Sequence, residues 1–390
     1  MIEIKENIYA VGVKDWDIKE FHGYSTPKGA TYNSYLIMGE KIVLIDGVKK
    51  KFSDEHIKNI SEIVDPSKID YVIVNHVEQD HSGNVPEIMK LAKNAKIITN
   101  GAAKMALEAH FDTTGWEYEI IKSTETFKAG DKTFAFLCTP LLHWPDSMMT
   151  YLAEDKVLFS NDGFGQHFCS EKTYVSEEKL EDVLYEAKKY YANILYLYAN
   201  QAKTALKNAG DLGLDIEMIA SSHGLIWRGK EEVSTILNLY SKWASGQDEG
   251  KALVVFDSMW GATETLANTI ADELKANNVK TQMFNLSEYH ISEIIPEFLD
   301  AKYICIGNPT LNNELFPRVA QFVTYMKGLK PLNKKGLAFG SYGWKPGVVK
   351  QLQEIFEGLG WETVSPFEEK YTPKTADLES LKQRVQELIK

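Results

Sequence analysis

Asn75-His76-Val77-Glu78-Gln79-Asp80-His81-Ser82-Gly83-Asn84 follows directly on the apolar run 71–74 and sets four metal-binding side chains within six residues. A buried strand that ends in a glycine-containing turn has a fixed backbone, so side chains at its tip can converge on one point. Working outward, three more side chains of the same chemistry stand at strand-to-loop junctions. His143 lies in Leu141-Leu142-His143-Trp144-Pro145-Asp146, Asp162 in Asn161-Asp162-Gly163, and His223 in Ser222-His223-Gly224. Together they make four imidazoles and three carboxylates. His56, His110, His167 and His290 read as ordinary surface or core histidines. His22 and Tyr24, in Phe21-His22-Gly23-Tyr24, are candidates to donate hydrogen bonds or protons near the site; loop packing is the competing reading.

A chain of 390 residues admits two or three domains, and 44% apolar with 25% charged residues is the balance of an ordinary globular protein. The formal charge of −12 argues against nucleic acid and anionic membrane surfaces as partners. No apolar run reaches transmembrane length, and residues 1–6 lack the apolar core of a signal peptide, so a cytoplasmic protein is expected. Cys138, Cys169 and Cys305 are scattered with no Cys-x-x-Cys pair. That excludes a rubredoxin-type iron site or a cysteine-ligated iron–sulfur cluster in this chain, and argues against a disulfide framework.

The first part of the chain reads as short strands with few helices. Strands are predicted over 8–13, 32–38, 41–46, 70–74, 96–99, 133–137, 148–152 and 156–159, with helical stretches over 54–63 and 177–207. This mixture suits an αβ/βα sandwich. The polar, glycine-containing stretch 244–250 reads as a linker, which divides the chain into domains of residues 1–247 and 251–390. Beyond it, strand and helix alternate through strands at 252–256, 280–285, 302–307 and 336–340. Such alternation predicts a doubly wound, five-stranded parallel sheet with a ligand site at its carboxyl edge.

Phe256-Asp257-Ser258-Met259-Trp260-Gly261-Ala262-Thr263 follows the first of those strands and opens a helix. Hydroxyl side chains and free backbone N–H groups at a helix N-terminus cradle an anion, and the absence of lysine excludes the P-loop of nucleotide hydrolases. The stretch resembles the FMN-phosphate loop of flavodoxins, with Trp260 where a threonine is usual. Pro309-Thr310-Leu311-Asn312 and Ser341-Tyr342-Gly343-Trp344 follow the third and fourth strands, where flavodoxins wrap the isoalloxazine ring. Tyr342 or Trp344 could stack on it.

The His-x-Glu-x-Asp-His spacing resembles the metal motif of the metallo-β-lactamase fold, in which zinc hydrolases usually carry histidine where this chain has Glu78. A carboxylate there makes the set harder and more anionic, moving preference from zinc towards iron or manganese and from hydrolysis towards redox chemistry. A domain of that kind fused to a flavodoxin-like one is similar to the flavodiiron proteins over nearly the whole chain. The resemblance implies one iron held by His76, Glu78 and His143, a second by Asp80, His81 and His223, and Asp162 bridging them. His81 is the member that does not always coordinate. It implies FMN, reduction of O2 to water and/or NO to N2O, and a head-to-tail homodimer or dimer of dimers that sets one subunit's flavin beside the other's irons. Two Fe(II) and one fully reduced FMN hold the four electrons that O2 needs to reach water. Electrons would come from a separate donor, rubredoxin in the main reading. A reduced-deazaflavin (F420H2) oxidase and a metallo-β-lactamase-type zinc hydrolase fused to a flavodoxin domain are the alternatives. Lys345-Pro346, where many relatives carry small residues, departs from the family pattern and bears on the local shape of the third flavin loop, not on the cofactor.

Overall fold

Strands buried on both faces form the centre of the first sheet. In the computed structural model, which describes residues 1–390, this sheet has seven strands: Ile2–Lys5, Ile8–Ala10, Tyr35–Ile37, Val43–Ile45, Tyr71–Ile73, Lys96–Thr99 and Glu117–Ile120 in spatial order. Successive side chains point to opposite faces. Ile37, Val43, Ile45, Ile73 and Ile98 therefore meet Phe134, Phe136, Met148 and Phe159 of a second, six-stranded sheet. Leu36, Leu44, Val72 and Ile97 turn the other way, into a cluster with residues of the helices Val85–Leu91 and Gly101–His110. Two sheets with helices outside them are the layered sandwich expected from the sequence.

The carboxyl ends of these strands are tied together by buried hydrogen bonds. Asp46 accepts the Asn75 backbone N–H at 2.7 Å and its amide at 3.0 Å, and Thr150 of the second sheet donates to the Asn75 side chain at 2.6 Å. Asn75 immediately precedes the first candidate ligand. The network thus fixes the loop on which that ligand sits.

Several predicted elements are interrupted. The run 32–38 is two strands, Ala30–Tyr32 and Tyr35–Ile37. It breaks because the Asn33 amide turns aside to donate to the Ser221 and Gly224 carbonyls at 2.9 and 3.0 Å. The run 8–13 breaks at Gly12, where a Cβ would lie 2.3 Å from the Tyr32 carbonyl oxygen. The stretch 177–207 is two helices, Leu180–Tyr190 and Ala199–Asp211, separated by a π-turn and a 3-10 turn. Helices are also more numerous in this half than expected. Gly101–His110, for one, is started by Asn100, whose side chain accepts the N–H groups of Ala102 and Ala103.

The chain divides into two compact units, Met1–Tyr191 with Tyr198–Ala244, and Ala192–Leu197 with Ser245–Lys390. In the second, parallel strands run in the order Thr281–Asn285, Lys251–Phe256, Ala301–Pro309, Lys335–Tyr342. Two short strands, Glu362–Thr363 and Phe367–Lys370, share the fifth position, each pairing with a different part of Lys335–Tyr342. This is the 2-1-3-4-5 order of the flavodoxin type. Helices Ala262–Ala276 and Thr375–Ile389 contribute Leu266, Ile270, Leu381 and Val385 to one core layer. All three cysteines are unpaired, and no helix is long and apolar enough to cross a membrane.

Candidate metal centre and flavin cleft

All seven candidate ligands converge at the loop edge of the sandwich. His76 and Glu78 leave the end of Tyr71–Ile73, and Asp80 and His81 ride on the one-turn helix Gln79–Ser82. His143 follows Lys132–Cys138, Asp162 follows Val157–Asn161, and His223 follows Met218–Ser221. Leu141, Asn161 and Phe164 have φ of 64°, 52° and 66°. Non-glycine residues in that region mark a backbone held against local preference by its surroundings.

The donor atoms form two groups that meet at Asp162. Glu78 Oε2 is 3.4 Å from His76 Nε2 and 3.2 Å from His143 Nε2, and Asp162 Oδ2 is 3.6 and 3.2 Å from the same two nitrogens. On the other side, Asp80 Oδ2 lies 3.4 Å from His81 Nε2 and 3.3 Å from His223 Nε2. Asp162 Oδ1 is 3.1 and 3.3 Å from those nitrogens. Adjacent ligands on a metal with bonds of about 2.1 Å at angles of about 90–120° are roughly 3.0–3.6 Å apart, so both groups have the spacing of a coordination shell. His76 Nε2, both Asp80 carboxylate oxygens, His81 Nε2 and Asp162 Oδ2 are buried without a hydrogen bond of proper geometry. Buried polar atoms are almost always satisfied, and a metal ion is what this donor set would satisfy. Two irons fit it.

Electrostatics point the same way. Burial alone would push the His76 imidazole down, yet the carboxylates of Asp146 and Glu78 outweigh it and hold it well above its ordinary value. Against the same burial, Asp162 and Glu78 raise His143 to about 9, and Asp162 and Asp80 raise His223 to about 10. Burial opposes ionisation of Glu78, Asp80 and Asp162 too, but the surrounding imidazoles keep all three low. The cluster is an anionic pocket that demands positive charge at its centre.

Outer partners aim the rings. His76 Nδ1 lies 2.9 Å from Asp146 Oδ2, which also accepts the Val77 N–H, and His223 Nδ1 lies 2.7 Å from the Thr31 carbonyl oxygen. Each contact leaves Nε2 facing inward. The Tyr190 hydroxyl donates to Asp162 Oδ1 at 2.9 Å. His22 and Gly23, with φ of 52° and 77°, form the two-residue turn of a hairpin between Glu20–Phe21 and Tyr24–Ser25. The turn brings His22 Nε2 within 2.6 Å of Glu78 Oε1. Tyr24 is buried on the far side of His167, its ring stacked 5.4 Å from that imidazole, which in turn is 4.8 Å from His223. Lys49, Lys50 and Lys51 line the open mouth beside His22 and Glu78.

The second unit has a cleft of about 480 Å³ at the carboxyl ends of its strands, a size typical of cofactor sites. Met259, Trp260 and Ala262 line one side, Pro309, Thr310, Leu311 and Asn312 another, and Ser341, Tyr342, Gly343 and Trp344 a third. Ser258, Gly261 and Thr263 lie behind this surface. Ser258 Oγ accepts the Gly261 N–H at 3.1 Å, Gly261 caps the helix Ala262–Ala276 with φ of 83°, and Thr263 Oγ1 is 2.8 Å from Ser341 Oγ. These three shape the loop. The Thr310 hydroxyl is buried without a partner at the cleft wall, and the indoles of Trp260 and Trp344 are 93% and 85% exposed. A planar ring with polar edges, such as FMN, fits between such walls.

Sequence reasoning missed Asp146, Thr31 and Tyr190 at the metal centre, and Asn313, Tyr371 and Thr372 in the cleft. Asp146 lies in the same loop as His143, three residues on; Tyr190 carried no local signal beyond helical periodicity.

Fold and site together define a metallo-β-lactamase-like dinuclear metal domain coupled to a flavodoxin-like one. Residues 30–224 match the ODP family beta lactamase, and residues 254–383 match Flavodoxin. The chain is 40% identical to a nitric oxide reductase of Moorella thermoacetica, covering 93% of this chain and 91% of that one. It superposes on the rubredoxin oxygen:oxidoreductase of Desulfovibrio gigas with a TM-score of 0.97 at 35% identity, covering 100% and 97% of the two chains. For the flavodiiron protein of Giardia intestinalis the values are 0.95, 33%, 99% and 95%. The chain belongs to the flavodiiron proteins, oxidoreductases with FMN and a non-haem diiron site that act on O2, NO or both.

Proposed function

We propose that this chain reduces O2 to water and/or NO to N2O at irons held by His76, Glu78 and His143, by Asp80, His81 and His223, and by Asp162 between them. The observation that carries this reading is the division of Asp162, whose Oδ2 faces one ligand group and whose Oδ1 faces the other. When bound, the irons supply a redox centre for a diatomic gas and FMN supplies its electrons.

The chain's own residues do the rest. Asp146 and the Thr31 carbonyl lock the tautomers of His76 and His223 so that Nε2 stays inward. Tyr190 holds the bridging carboxylate by one oxygen. His22 hydrogen-bonds Glu78 Oε1 at the mouth, where its ring can pass a proton between solvent and the reacting gas. The three lysines there favour an anionic partner.

Electrons come from a separate protein, and rubredoxin is the proposed donor. It is named in the Desulfovibrio relative. The proposed working unit is a head-to-tail homodimer; sedimentation of the holoprotein distinguishes it from a monomer or a dimer of dimers.

Anaerobic stopped-flow tests the reading. Fully reduced protein is mixed separately with O2 and with NO, and flavin reoxidation and gas products are followed over many turnovers. Sustained reoxidation by O2 without peroxide, with slow or self-inactivating NO turnover, identifies an oxygen reductase; the reverse identifies a nitric oxide reductase. Reaction with neither overturns the assignment. Replacing rubredoxin by reduced deazaflavin in the same assay tests the donor.

A further inference from the structure

A narrow cavity of about 20 Å³ lies on the outer face of the second sheet, under the helices Ala199–Asp211 and Gly229–Ser245. Leu137, Met149 and Leu158 floor it, pointing away from the core side of their strands, and Ala205 and Tyr240 roof it. No polar atom faces the space. The Tyr240 hydroxyl accepts the Phe164 N–H at 2.8 Å and is occupied there. A water molecule needs two or more polar partners, so a cavity of this lining stays dry while having room for a particle of about water size.

Two residues of its wall, Leu142 and Gly163, are the chain neighbours of His143 and Asp162. The backbone passes close at Gly163, where a Cβ would lie 2.8 Å from the Met149 methyl carbon. Three others, Ala209, Ile216 and Leu237, are only half-buried and form its rim. The open mouth beside the metal centre, by contrast, is lined by His22, Glu78 and three lysines and is charged.

We propose that this cavity is a binding site for an uncharged diatomic gas and feeds it to the metal centre past Leu142 and Gly163, apart from the charged mouth. Small, weakly hydrated molecules leave water for dry apolar space, which no ion, water or polar product does. The proposal rests on the reading of the chain as a reductase of O2 or NO.

Xenon, an apolar atom visible by anomalous scattering, is the probe. Crystals of the holoprotein pressurised with xenon should show it between Leu158 and Ala205. Ala209→Phe, at the half-exposed rim where a larger side chain can be accommodated, should abolish that peak. The same variant should lower the second-order rate of reoxidation by dilute gas several-fold, with iron and FMN content and the rate at saturating gas unchanged. Ala205→Val, a smaller intrusion, should lower xenon occupancy and gas rate together if Ala209→Phe fails to fold. Absence of xenon, or its loss with no change in gas rate, makes this a packing void and overturns the proposal. Wild-type holoprotein that reacts with neither gas overturns the functional reading itself, a result separable from reactive wild type with an unaffected variant.

Discussion

Asp162 has no local substitute, because it alone offers an oxygen to each ligand group. Asp162→Ala should therefore lose both irons, and gas turnover should fall by more than the roughly 10–100-fold that loss of an outer partner costs. Asp146→Ala removes only such a partner, so iron should remain at stoichiometric loading but yield to a chelator at 10–100-fold lower concentration, on the order of the same principle. Elemental analysis checks both, and zinc as the dominant metal in the wild type would contradict the iron assignment. His22→Ala should slow turnover by roughly 10-fold without loss of iron, since its ring reaches Glu78, whereas Tyr24→Phe should change little. Steady-state gas consumption separates the two, and equal effects would sink the distinction. His56 makes a different kind of prediction. Burial lowers its imidazole from 6.5 to about 3. Between those values the unfolded chain binds a proton that the folded chain refuses, so stability rises with pH there. The contribution is complete above about 6.5 and is lost as pH falls towards 3. His56→Gln, which keeps a partner for the Asn84 amide, should flatten the acid-side slope of stability by up to one proton in urea titrations.

At the level of elements, the sequence showed what depends on local pattern and hid what depends on distant partners. The 75–84 stretch displayed its candidate ligands because strand, turn and donors are contiguous. Short apolar runs likewise exposed the strands Lys96–Thr99 and Met148–Leu152 at their observed bounds. Asn33 shows the opposite case. It sits in a run of good strand formers, and only two carbonyls some 190 residues away pull it out of line. Tyr190 is hidden for the same reason, since its helix pattern reports burial but not the carboxylate its hydroxyl meets. The flavin loops fall between these limits: all three were legible, but not that Thr263 turns from the cleft to Ser341. One glycine there is a requirement of geometry. Gly261 caps its helix at a φ of 83°, where an L-side chain costs about 1–2 kcal/mol. Gly261→Ala should weaken FMN binding about 5–30-fold on that scale, which fluorescence titration of the apoprotein would measure. Wild-type affinity would mean the loop relaxes freely.

At the scale of the whole molecule, the boundary read at 247–251 is close to one junction between the units, Ala244 to Ser245, but the chain also makes an excursion. Residues Ala192–Leu197 belong to the second unit, where the Asn193 amide donates to the Ser292 carbonyl at 3.0 Å and its oxygen accepts the Tyr325 hydroxyl at 2.7 Å. A fragment of residues 245–390 should therefore melt lower than the same unit in the intact chain. The deficit should be about 1–3 kcal/mol for the stranded polar groups, and Tyr325→Phe should recover part of it. A fragment as stable as the intact unit would show that the excursion is incidental. If the deficit is found, this protein cannot be assembled from interchangeable cassettes by cutting at the linker. A gene fusion that swaps in another flavodoxin-like module must also rewrite six codons deep inside the metal-binding half, so the two halves are expected to have changed together rather than to have been traded singly.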